Sequence, residues 1–203
     1  MIDYNKFSAA TYGMKFGVKY QNRIFKRMDN DCTNFISQCI WAGYGGTGDY
    51  NLDGSRSIRA LRNRVANFYL QTPEWYGLPY GSPEEFPSLS FIRVEELWNY
   101  TINNNSIGPK AIGYNNGKHW TDLDVNVEQG DVVQFYQDDI GRYGHSVIIV
   151  SDTNQNIVDS MDGIYVAQHS EDFSYRPFIE AFAASTDILN GKLRLLKFQP
   201  TYF

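Results

Sequence analysis

From Glu128 onward the 203-residue chain carries β-branched apolar segments that follow one another with no helical pattern between them, and this restricts the fold more than any other property. Val132–Tyr136 follows Gly130-Asp131, Ser146–Val150 follows Gly144-His145, and further strands are expected at residues 156–160, 164–169 and 192–199. Parallel pairing needs a helical crossover of about a dozen residues or more, so an antiparallel sheet is the economical arrangement. The first half has the opposite character. Residues 5–20 carry Phe7, Ala10, Tyr12, Met14 and Tyr20 at loosely helical spacing, residues 32–42 and 55–70 are more clearly periodic, and Phe91 to Asn99 reads as a short helix. Pro73, Pro79, Pro83 and Pro87 make residues 71–90 an irregular excursion, and residues 108–126 read as loop with short extended pieces. The expected fold class is α+β, with one domain over residues 1–203, helical in its first half and sheet-rich in its second.

The segment Asp31-Cys32-Thr33-Asn34-Phe35-Ile36-Ser37-Gln38-Cys39-Ile40-Trp41-Ala42-Gly43 carries the chemistry. Asn30 and Asp31 are N-cap types, Phe35, Ile36, Cys39 and Ile40 build one apolar helical face, and Gly43 ends the helix. Cys32 falls in the first turn, outside that face, where unpaired N–H groups favour an anion and so a thiolate. Cys39 lies on the face and reads as a small buried hydrophobe. Seven residues apart on one helix, the two thiols point in different directions and do not bridge. A cysteine nucleophile needs an imidazole partner, and the chain has 3 histidines. His145 stands at the mouth of a strand after Gly144, His169 follows the strand Ile164-Tyr165-Val166-Ala167-Gln168, and His119 sits in a polar loop and reads as solvated.

Several function classes are disfavoured. A net charge of −5 argues against a general nucleic-acid binder. The basic run Arg56 to Arg64 reads as the solvated face of a helix whose Ile58, Leu61, Val65 and Phe68 point inward. Asp49 to Asp53 has the opening spacing of a calcium loop, but position twelve is Ala60 where a bidentate Glu is needed, so a plain turn is expected. Neither the cysteines nor the histidines have zinc-ligand spacing, and no metal or other cofactor is expected. The aromatic content of 16% fits either a sugar-bearing cleft or an aromatic core. The opening Met-Ile-Asp-Tyr-Asn-Lys lacks a signal-peptide pattern and no run is long enough to span a membrane. Synthesis in the cytoplasm is therefore expected, and action outside would need release by lysis, dedicated export or processing of a larger precursor.

Asp31 to Gln38, Gly130 to Phe135, Gly144 to Val150 and Val166-Ala167-Gln168-His169-Ser170-Glu171-Asp172 resemble the blocks of the Putative amidase domain family, among the papain-like cysteine hydrolases related to NlpC-type and CHAP-type cell-wall enzymes. Tyr4 through Tyr20 resembles that family's leading helix. The resemblance implies a papain-like or NlpC-like fold, with Cys32 at a helix N-terminus packed on the sheet, His145 as base and a third polar residue on a neighbouring strand. The implied activity is amide hydrolysis through a thioester, by a bacterial or phage peptidoglycan hydrolase acting as amidase or endopeptidase on peptidoglycan or peptide substrates. Two other readings stand beside it: a papain-like protease, deamidase or acyltransferase toxin acting on proteins, and an inactive wall-binding domain. For the third member, His169 matches the family block directly. Asp159 is the alternative, placed by a strand at residues 156–160 returning in a hairpin from His145. Asp172, Gln168 and Asp131 are further candidates, and Asp31, Gln168 and Asp172 are expected to support the site or touch substrate.

Overall fold

A computed structural model describes residues 1–18 and 23–203, so the expected helical position Tyr20 lies outside the described residues. The helical half forms α1 (Lys6–Phe16), α2 (Cys32–Gly43), α3 (Ser55–Ala66), α4 (Leu89–Ile92) and α5 (Val94–Asn103). The sheet half forms β1 (Lys110–Tyr114), β2 (Asn126–Glu128), β3 (Val132–Gln137), β4 (Arg142–Ile149), β5 (Asn154–Asn156), β6 (Tyr165–Gln168), β7 (Phe173–Pro177), α6 (Phe178–Ser185) and β8 (Leu193–Gln199). Six strands make one sheet in the order β1-β8-β3-β4-β6-β7, and every pairing in it is antiparallel. The architecture is thus α+β, with helices packed on an antiparallel sheet.

Strand alternation divides the interior in two. Val132, Ile148, Ala167 and Leu196 face α1 and α2, while Val133, Phe135, Val147, Ile149 and Val166 face Phe178 and Phe182 of α6. Strand β7 and helix α6 were not anticipated, because eight helical residues behind Pro177 are too few to establish a period. The strand expected at 156–160 is also displaced: β5 ends at Asn156 and pairs with β2, not with β4, and a turn follows it. Phe68, expected to point inward, lies beyond the end of α3 with φ 57° and is 51% exposed. Of the two readings of the aromatic content, the core takes most of it. Trp41, Trp75, Tyr12, Phe16, Phe25 and Phe91 are all buried, and Phe86 and Tyr143 are the aromatics on the wall of the cavity described below.

Helix α2 departs from the amphipathic pattern expected of it, since all twelve of its residues are buried. It packs against the sheet beside α1, with α4 on it as well. Burial of Phe35, Ile36 and Ile40 contributes about 1.5–3 kcal/mol each. Two of its polar side chains find partners on other elements: Tyr12 donates to Gln38 Oε1 at 3.1 Å, and Asn34 Nδ2 donates to the Lys26 carbonyl at 3.0 Å. The Gly-Asp pair before β3 does structural work. Gly130 has φ 82°, a Cβ there would stand 2.7 Å from Lys6 Cα, and its carbonyl accepts from Tyr4 at 3.0 Å, so only glycine lets the start of α1 close on the sheet. Asp131 pairs with Lys197 at 2.9 Å, and burial pushes its carboxyl up even with that ammonium beside it.

Candidate active site

The start of α2 is built around Asp31. Its carboxylate makes no side-chain cap on the helix; it turns back to accept from the Met28 N–H at 2.8 Å and from Asn34 Nδ2 at 2.7 Å. Because the first N–H groups of a helix have no intrahelical partner, the turn that holds Cys32 keeps its donor character. Cys32 packs with Val94 and Tyr143, its sulfur lies 4.0 Å from the Gly144 carbonyl, and both thiols of the chain are free.

β4 brings His145 to this helix start. Burial pushes the Cys32 thiol up. The hydrogen bond and charge of His145, the Thr33 hydroxyl and the Ser146 backbone N–H together outweigh that and hold the thiol below its ordinary value. Cys32 and His145 lie on the wall of one cavity of about 760 Å³, which Gln168 also lines. Charges of both signs surround it: Asp29, Glu95, Glu96 and Glu171 against Arg93 and Arg142.

Residues 3–190 match the model of the family described as Putative amidase domain. The chain belongs to that family. Membership supports amide hydrolysis as the reaction class. A stretch of 156 residues, 77% of the chain, is 24% identical to the uncharacterized protein YhbB of Bacillus subtilis (strain 168). The match spans 40% of that relative's length. No solved structure matches the chain.

In this amidase-family chain the candidate third residues separate clearly. His169 does not reach the His145 ring. Its Nδ1 lies 2.5 Å from Asp31 Oδ2, its Nε2 donates to the Phe16 carbonyl at 2.9 Å, and its ring stacks on Phe35 with centroids 3.9 Å apart. Asp159 is exposed in the turn after β5. Asp172 forms a two-bond pair with Arg27 at 3.0 and 3.1 Å, and Asp131 is tied to Lys197; neither lines the cavity. His119 bonds Thr121 in its own loop and the Leu189 carbonyl of the segment before β8.

Gln168 is the candidate that shares the cavity wall with His145. β4 and β6 pair Ile148 with Ala167 and Ile149 with Val166. Continuing the alternation puts Gln168 on the His145 face and His169 on the opposite, α2 face. The Glu171 carbonyl accepts from Gln168 Nε2 at 3.1 Å, which fixes the amide and leaves Oε1 free to accept. Among the described residues, Gln168 Oε1 and His145 Nε2 are both buried without a hydrogen-bond partner.

The sequence reading missed a polar group beneath the cavity. Gln134 of β3 stands opposite Arg194 of β8, and Arg194 Nε donates to Gln134 Oε1 at 2.7 Å. The guanidinium is flanked by the rings of Trp98 and Tyr143 at 4.3 and 4.0 Å and pairs with Glu95 at 2.9 Å. An arginine inside the apolar run Leu193-Arg194-Leu195-Leu196 was the available signal, since a buried cation needs a buried partner. Among the described residues no helix is long and apolar enough to cross a membrane.

Proposed function

We propose that this chain is a cysteine amide hydrolase in which Cys32 is the nucleophile, His145 the acid–base and Gln168 the residue that positions the imidazole. One observation carries the reading: at the start of a wholly buried helix, on the wall of one cavity, a thiol held below its ordinary value stands beside a histidine. His145 takes the thiol proton and Cys32 Sγ attacks the amide carbon. The Cys32 N–H at the helix start stabilises the resulting oxyanion. Collapse passes the proton from His145 to the leaving nitrogen and forms a thioester; water activated by His145 then releases the acid and restores the thiol. On this reading we take the α+β fold as papain-like or NlpC-like, with residues 1–203 as one catalytic unit.

For the substrate we propose peptide amides of peptidoglycan, met at the cell wall. Stem peptides carry both amines and carboxylates, and the cavity offers both kinds of partner. The test incubates the protein with defined muropeptides and separately with a protein panel, reading product masses. Muropeptide products whose summed mass exceeds the substrate's by one water are expected; cleavage of proteins alone would overturn the wall assignment.

Gln168→Ala is expected to lower kcat by about 10–100-fold, because an unpositioned base forfeits part of what acid–base catalysis supplies. KM and the melting temperature should change little. A fall in melting temperature at unchanged kcat would make Gln168 a purely structural residue.

A further inference from the structure

Behind Cys32 a line of polar side chains runs from Arg194 to the sulfur. Arg194 Nε donates to Gln134 Oε1 at 2.7 Å. Gln134 Nε2 donates to the Val94 carbonyl at 3.1 Å and to Ser146 Oγ at 3.3 Å. Ser146 Oγ lies 3.3 Å from Thr33 Oγ1, which lies 3.7 Å from Cys32 Sγ. All four partners of Cys32 in this line are nearly or wholly buried.

The direction of the bonds follows from the first of them. A guanidinium only donates, so Gln134 must present its oxygen to Arg194 and its amide hydrogens to Val94 and Ser146. Ser146 Oγ accepts from Gln134, and Thr33 Oγ1 at 3.3 Å is an acceptor within reach of its own hydrogen. Thr33, accepting in turn, has its hydrogen free for the sulfur. A thiolate accepts hydrogen bonds and cannot donate one, so the line is complete in the ionised state. We infer that Thr33 donates to the Cys32 thiolate at the end of a one-way hydrogen-bond chain, aligned by Ser146, Gln134 and Arg194, that holds the nucleophile ionised. This rests on the assignment of Cys32 as nucleophile and adds a source of activation independent of His145. Thr33 touches the reacting atom; the other three are positioning residues.

The test is the rate of Cys32 alkylation by iodoacetamide as a function of pH, followed on the Cys32 peptide by mass so that Cys39 is counted separately. Other charged or titratable groups on the cavity wall with the sulfur are His145, Tyr143 and Arg142 from β4, Arg93 before α5, Glu95 and Glu96 from α5, Asp29 before α2 and Glu171 after β6. None of them is altered by the variants used. Thr33→Val keeps the shape and removes the hydroxyl; its alkylation midpoint should rise by about one pH unit, the scale of one hydrogen bond to a charged group. Ser146→Ala should move it in the same direction, and it carries the test if Thr33→Val fails to fold. Thr33→Ser, which keeps the donor, should stay with the wild type. Superimposable profiles for Thr33→Val and wild type overturn the chain, as does an equal shift in Thr33→Ser. A wild-type Cys32 that titrates like an ordinary thiol instead overturns the nucleophile assignment itself, so the two failures are distinct.

Discussion

Cys32→Ala is expected to abolish amide hydrolysis, with a loss on the order of a million-fold in kcat, the scale seen when a nucleophile acting in concert with its base is removed. The fold should survive. The change deletes one sulfur, whose neighbours include Val94, Tyr143, Thr33, the Gly144 carbonyl and His145, and such a truncation costs about 1 kcal/mol. Product masses from defined muropeptides measure the activity, and the melting temperature measures the fold. Retained hydrolysis in a folded Cys32→Ala protein would remove the covalent mechanism altogether.

His169→Ala should have the largest effect on stability. The His169–Asp31 pair is almost wholly buried, and removing the imidazole costs on the order of 3–5 kcal/mol, because Asp31 Oδ2 loses its closest partner in the interior and the ring's packing goes with it. At about 2–4 °C per kcal/mol for a chain of this size, the melting temperature should fall by about 6–20 °C. The loss of the ring stacked on Phe35 adds a void beside α2. Calorimetry decides the point. An unchanged melting temperature together with a collapsed kcat would return His169 to the catalytic group.

Much of the element layout was legible in the sequence because it depends on local period. The β-branched runs after Gly130 and Gly144 became β3 and β4, the strands near 164–169 and 192–199 became β6 and β8, and α2 begins at Cys32 as its first-turn position suggested. Partners across the sheet were not legible. His169 and Gln168 are neighbours in the chain, yet a strand turns neighbours to opposite faces, so one residue separates the pair with Asp31 from the approach to His145. Deciding between them required the β4–β6 register, which joins segments some twenty residues apart and leaves no local signature. The same holds for Gln134 and Arg194, whose meeting across β3 and β8 is a property of pairing. Asp31 was read correctly as the residue at the helix start. Its carboxylate serves His169 and the preceding loop, because the fold closes there over the helix end.

The complete burial of α2 also governs how this protein ages and heats. With no solvent-facing residue on the helix, its hydrogen-bonded amides beyond the first turn are expected to exchange by way of global unfolding, which native-state hydrogen exchange would measure. The candidate nucleophile is thereby carried on an element expected to open only with the whole fold, so activity and the folded state are expected to be lost at the same temperature.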